Sequence, residues 1–213
     1  VILPSRERSC DAMSIFAKWG PPELFITITA NPSWKEIFSN LKPGEDTTDR
    51  PDLVARVFKI KLDSLIKYVT SNGIFGKAVA FVYFIEFQKR GLPHTHLLVT
   101  LRAENKFTTP ERIDQFISAE IPRVNSPRLR EIVLKCMIHG PCGIRYPNAP
   151  CMKDGKCSKQ YPKEFNEHTQ LNVNGYPSYR RRRDVQVTVR GSLIDNRNVV
   201  PYNPFLTLKF NAH

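Results

Sequence analysis

No apolar run in this sequence approaches the roughly 20 residues that a membrane-spanning helix needs. The longest is about Val79 to Ile85. The opening residues, Val1 to Arg8, lack the apolar core of a signal peptide, and no initiator Met stands at position 1. A piece cut from a longer protein is the expectation. Internal repeats and collagen-like, coiled-coil or wholly disordered composition are missing too. Cysteine is scarce, and its five copies are unevenly spread: one at position 10, the other four between Cys136 and Cys157 with His139 among them. An odd, clustered set mixed with His argues against a secreted disulfide framework and for a metal site in a reducing compartment.

What is present is a chain of 213 residues, 41% hydrophobic and 24% charged, long enough to bury a core. Its 32 Lys and Arg against 20 Asp and Glu give a net charge of +12, the signature of a nucleic-acid binder. Basic ribosome-associated or RNA-binding proteins share that signature.

Residues 24–29 alternate β-branched and aromatic side chains and predict a strand that stops at Asn31-Pro32. Residues 42–48 are a loop. From Pro51, the apolar positions Leu53, Val54, Val57, Phe58, Leu62, Leu65, Ile66 and Val69 predict a helix closed by Ser71-Asn72-Gly73. Residues 78–88 and 94–101 predict a β-hairpin joined through Lys89-Arg90-Gly91-Leu92-Pro93. Short helices follow, one from Thr109 towards Ala119 and one over 128–138. Residues 140–165 read as irregular, 185–189 as a strand, and 199–210 as a segment of undetermined type. The order predicts an α+β domain, an antiparallel sheet with helices on one face. The expected divisions are a core over 1–135, a Cys/His insertion over 136–165, and a continuation of the core over 166–213.

His94-Thr95-His96 lies on the second hairpin strand, where alternation projects both imidazoles to one side, about 6.5 Å apart. Two neutral imidazoles so placed can share a divalent ion. Glu86 and Gln88, of equal parity on the partner strand, are the alternatives for a third ligand. A carboxylate beside two imidazoles suits Mg²⁺ or Mn²⁺. A histidine pair on a surface strand would present the same triplet. Phe25, Phe81, Phe84 and Phe87 read as core. Cys136, His139, Cys142, Cys151 and Cys157 offer five candidate ligands for a four-coordinate Zn²⁺; free buried thiols are the bland alternative. The run Arg180, Arg181, Arg182, Arg183 is either a solvated turn or localisation signal, or, with Tyr176 and Tyr179 beside it, a phosphate-contacting and base-stacking DNA surface.

The string Glu86-Phe87-Gln88-Lys89-Arg90-Gly91-Leu92-Pro93-His94-Thr95-His96 resembles the HUH-endonuclease motif of Helitron rolling-circle transposases. Residues 24–34, 137–143, 151–157 and 199–206 are similar to the same family. The resemblance implies a Rep-type fold and a metal-dependent, tyrosine-using nickase for single-stranded DNA, with a helicase domain in the same full-length chain. His94 and His96 would be its catalytic pair. It selects His139, Cys142, Cys151 and Cys157 as zinc ligands, with Cys136 the spare; Lys153, Lys156, Lys159 and Lys163 would then surround the zinc knuckle, which makes it an expected DNA-contacting surface. The expected compartment is the nucleus. Two departures stand out: Thr95 occupies the middle of the pair, and residues 5–11 look shorter than in relatives. The family's two nucleophilic tyrosines belong to a helix expected beyond residue 213. A module that binds single-stranded DNA without cutting it is the alternative function.

Overall fold

The computed structural model describes residues 13–88, 91–144, 146–172 and 175–212. Residues 5–11, Cys10 and the Lys89-Arg90 tip of the expected hairpin turn lie outside the described residues. The chain is α+β, with helices and small antiparallel sheets, as its element order predicts. It divides into two compact units, residues 1–107 with 212–213, and residues 108–211.

The first unit is built on a three-stranded antiparallel sheet of β1 (Leu24–Thr29), β2 (Ala78–Phe87) and β3 (Pro93–Leu101), with β3 in the centre. The β2–β3 turn closes where Gln88 N–H donates to Leu92 O at 3.0 Å and Gly91 N–H to Gln88 O at 2.8 Å. Gly91 takes φ 77°, which a side chain would strain. A one-turn helix α1 (Lys35–Phe38) follows β1. The long helix α2 (Pro51–Thr70) starts with proline at its first position, where the missing N–H costs nothing. It packs against β2 and β3 and buries Val54, Phe58, Leu62, Leu65 and Val69. Each such side chain contributes about 1.5–3 kcal/mol by leaving water. In β3 the alternate residues Pro93, Thr95, Leu97, Val99 and Leu101 are buried, so His94, His96 and Leu98 belong to the other face.

The second unit has its own core of Ile121, Val133, Val199 and Tyr202, with Leu129, Met137, Ile138, Val185 and Val187 packed around it. It contains α3 (Pro110–Phe116), α4 (Pro127–Cys136), the two-residue strands β4 (Met152–Lys153) and β5 (Lys156–Cys157), the hairpin β6 (Gln186–Val189) and β7 (Ser192–Asp195), and α5 (Pro204–Phe210). The undetermined segment over 199–210 thus ends in a helix, capped where the Asn203 side chain accepts from Leu206 N–H at 2.8 Å. This organisation differs from divisions at 135 and 165. Val133 on α4 shares a core with Val199 and Tyr202, so the Cys/His segment sits inside a folded unit with apolar burial of its own.

The arginine run builds that unit rather than facing solvent as a free turn. Arg181 is 3% exposed, and its guanidinium donates to the carbonyls of Asn196 and Val199, both at 2.7 Å, and of Ala119 at 3.4 Å. Arg182 forms a bidentate pair with Glu120, at 2.9 and 2.6 Å. Arg180 pairs with Asp114 at 3.0 Å. Burial by itself would raise the Glu120 carboxyl, but the hydrogen bonds from Arg182 and the nearby Arg180 charge overcome it and hold the group below its ordinary value. Arg181 is therefore withdrawn from any DNA surface, and Arg180 and Arg182 are already paired. Only Arg183 is exposed, stacked over the Phe165 ring at 4.7 Å.

Two stability effects follow. Arg181→Met strands buried carbonyls and should cost about 3 kcal/mol or more in denaturant unfolding, against less than about 1 kcal/mol for Arg183→Met. Because Glu120 is depressed in the fold, its contribution is present at neutral pH and lost as pH falls through its lowered folded value; Glu120→Gln should flatten that acid limb. In the first unit, Thr95 is 0% exposed and its hydroxyl has no partner. Thr95→Val keeps the shape and should stabilise the protein by about 1 kcal/mol, read as a higher denaturation midpoint.

Candidate metal centres

The register of the sheet assembles the first centre. Glu86 on β2 lies directly across from His94 on β3, Phe84 across from His96, and Thr29 and Thr27 of β1 flank the two histidines on the other side. The ligand atoms of Glu86, His94 and His96 all lie within 4.8 Å of one another. The Nε2 of His96 is 3.3 Å from Oε1 of Glu86, and the two imidazoles meet edge to face at 4.5 Å. Gln88, the alternative third ligand, falls past the end of β2 in the turn. The carboxylate across from His94 is Glu86.

Neighbours orient both rings. The buried Thr29 hydroxyl is 2.7 Å from Nδ1 of His94, so Nε2 is the nitrogen this ring would turn to a cation. His96 is stacked by Phe84 at 4.7 Å and by Phe25 at 5.4 Å. Since β1 and β2 lie on opposite sides of β3, one phenyl ring stands on each side of the imidazole. Sequence reasoning missed Thr29, Phe25 and Phe84. It took the phenylalanines for core, yet Phe25, Phe81, Phe84 and Phe87 are 61, 40, 50 and 63% exposed. The signal was available for Phe84, which shares the parity of Glu86.

The second centre lies wholly in the second unit. The ligand atoms of His139, Cys142, Cys151 and Cys157 also lie within 4.8 Å of one another. Nε2 of His139 stands 3.6 Å from Sγ of Cys142 and 3.5 Å from Sγ of Cys157. Ligands about 2.0–2.3 Å from a tetrahedral zinc are roughly 3.5 Å from each other, so these spacings fit four-coordinate metal binding. The Asp154-Gly155 turn between β4 and β5, with φ 50° and 74°, brings Cys151 and Cys157 back together. Tyr161 stacks on His139 at 4.2 Å, and Lys163 lies over the Tyr161 ring at 5.1 Å. Desolvation and the neighbouring thiols push Cys142 up to about 12, while desolvation, then the Lys163 and Lys159 charges, keep His139 low and thus neutral, the form that binds metal. Cys136, at the end of α4, is outside the group, and burial pushes its thiol up.

Lys153 and Lys156 on the β4–β5 knuckle are exposed. Tyr176 is 81% exposed, whereas Tyr161, Tyr179 and Tyr202 have phenols raised by burial. In the first unit, Tyr83 lies across from Leu97, on the face opposite the histidines, and Tyr68 is on α2. No tyrosine among the described residues belongs to the strand face that carries Glu86, His94 and His96.

Residues 5–99 match the family model described as the Helitron helicase-like domain at the N-terminus. The match supports a Helitron-related domain over this stretch, which is less than half of the chain. The match covers all of β1, α1, α2 and β2, and β3 through Val99, and therefore the whole Glu86–His94–His96 group. No curated protein matches the chain. No helix among the described residues is long and apolar enough to cross a membrane.

Metal content tests the second centre directly. Elemental analysis should find about one tightly held metal equivalent in protein purified without added metal. Cys142→Ser or Cys157→Ser should release it and expose residues 139–163 to proteolysis, while Cys136→Ser should leave it bound. Equal release by Cys136→Ser would mean that the four ligands are differently chosen.

Proposed function

We propose that the Helitron-related unit is the metal-dependent, Rep-type nicking domain of a rolling-circle transposase, acting on single-stranded DNA in the nucleus and joined to a helicase domain in the full-length chain. The observation that carries this reading is the convergence of Glu86, His94 and His96 on a sheet face within a Helitron-related domain. Two imidazole nitrogens and one carboxylate oxygen form a hard to borderline donor set that fits Mg²⁺ or Mn²⁺. A divalent ion there would neutralise charge developing on the scissile phosphate. The chain's own part is to hold the donors: Thr29 fixes the His94 ring, Phe25 and Phe84 hold the plane of His96, and the strand register sets Glu86 across from His94.

Strand cleavage on this reading uses a tyrosine from a separate helix, as the resemblance implies. Its phenolate oxygen bonds to phosphorus, the P–O3′ bond breaks, and the leaving oxygen takes a proton to become a 3′-hydroxyl. The 5′-phosphotyrosine conserves the bond for rejoining. In the second unit, zinc held by His139, Cys142, Cys151 and Cys157 serves structure, and Lys153 and Lys156 on the knuckle contact phosphates.

A second reading, a zinc-bearing single-strand-binding module without catalysis, is favoured by one fact: no described tyrosine belongs to the strand face that carries Glu86, His94 and His96. One set of gels separates the two. The 213-residue chain should bind a labelled single-stranded oligonucleotide, with affinity falling steeply as salt rises, and form no covalent adduct with Mn²⁺. Joined to a helix carrying two tyrosines one turn apart, it should form a denaturation-resistant adduct. His94→Ala or His96→Ala should lower adduct formation at least about 100-fold and change DNA affinity less than about threefold. Binding without any adduct in the joined chain would favour the second reading. An adduct from the 213-residue chain would assign the nucleophile to an internal tyrosine.

A further inference from the structure

The histidine face carries more apolar surface than ligand positioning requires. Phe25, His96 and Phe84 form a row across β1, β3 and β2, with centroid spacings of 5.4 and 4.7 Å and interplanar angles of 13° and 26°. Each phenyl ring uses one face against the imidazole, and neither is covered: Phe25 is 61% exposed and Phe84 50%. Rings serving only to pack His96 would be expected to sink into the sheet. These stand at its two edge strands, with their outer faces turned away from the imidazole. An exposed aromatic pair beside a candidate ion site marks a place where something planar and apolar binds.

We infer that Phe25 and Phe84 are a stacking platform for the nucleobases next to the phosphate held at Glu86, His94 and His96. The inference rests on the single-stranded DNA reading above and adds the residues that grip the strand at the site. The middle ring of the row is itself a candidate ligand, so a base stacked on either outer face belongs to a nucleotide adjacent to the ion. Duplex bases are already stacked on each other, so the platform selects unpaired bases, and because every base has a π-face, it does so with little sequence preference. The net charge of +12 fits a polyanionic partner, whereas an apolar peptide on the same rings would gain nothing from it.

The test combines Phe25→Leu, Phe84→Leu and the double variant with a single-stranded oligonucleotide carrying 2-aminopurine at successive positions. Leucine keeps apolar bulk but removes the π-face. Each single variant should lose about tenfold in affinity, and the wild-type quenching of 2-aminopurine at one or two positions should disappear. An abasic site at the quenched position should weaken the wild type about tenfold and leave the matching leucine variant unchanged. Phe84→Trp should restore both affinity and quenching. Mn²⁺ affinity and the unfolding midpoint, measured on the same proteins, report whether the site and fold persist. Variants that bind and quench like the wild type overturn the inference while leaving the nicking reading intact. So do variants that lose Mn²⁺ but stack DNA as before, which would make the rings supports for His96 alone. Loss of concentration-dependent self-association, with DNA binding unchanged, would reassign the rings to a second copy of the chain. A wild-type protein that fails to bind single-stranded DNA overturns this inference and the nicking reading together.

Discussion

Everything proposed for the first unit depends on the alternation of one central strand. In β3, Pro93, Thr95, Leu97, Val99 and Leu101 are buried, and the helix α2 packs against this strand and β2. That burial fixes which way the strand faces, because a one-residue slip would put His94 and His96 into an apolar core and Leu97 into water. The histidines are thus held by the cost of exposing their neighbours, and the antiparallel register sets Glu86 and Thr29 beside them. The unpartnered hydroxyl of Thr95 is the one flaw in the buried row. The core tolerates it because Thr is β-branched and fills the same volume as Val.

The two candidate metal centres differ in chemistry, and the difference follows from where each sits. Glu86, His94 and His96 offer oxygen and nitrogen on a regular sheet, set side by side by strand pairing, and three donors alone would leave part of an ion's coordination sphere unfilled. Among its described residues, the stretch from His139 to Cys157 has a pair of two-residue strands and no helix. Backbone of that kind gains little from burial, and a four-ligand cluster supplies cross-links that hydrophobic contacts do not. An open centre suits chemistry, a closed one suits architecture.

Much of this was legible in the sequence wherever one periodicity dominated. The 3.6-residue pattern from Leu53 to Val69 and the two-residue pattern around His94 carry enough local signal to place α2, β2 and β3. The grouping of His139 with Cys142, Cys151 and Cys157 followed from family-like strings and is matched by the distances among their ligand atoms. What could not be read was pairing at long range. Nothing local says that β1 brings Thr29 to His94, or that the β2 phenylalanines stay exposed, because exposure depends on which strand ends up at the edge. Nor does anything local say that Val133 and Val199, 66 positions apart, share one core.

The arginine run shows how a count of charges can mislead about where charge is available. Four consecutive arginines look like the strongest phosphate site in the chain, yet Arg181 serves three backbone carbonyls, and Arg182 and Arg180 neutralise Glu120 and Asp114. Guanidinium suits that work because its planar fork can satisfy several oxygens at once and stays protonated when buried. Lys153, Lys156 and Lys159 are exposed, and their ammonium groups act as mobile point charges. Lysines contribute to DNA affinity as a group only if the backbone beneath them holds them together. In the β4–β5 knuckle that backbone is held by few hydrogen bonds and by Cys151 and Cys157 at its two ends. On the proposed reading, the structural metal and the DNA-binding lysines are therefore one device: the metal orders the loop, and the ordered loop makes separate charges into a surface.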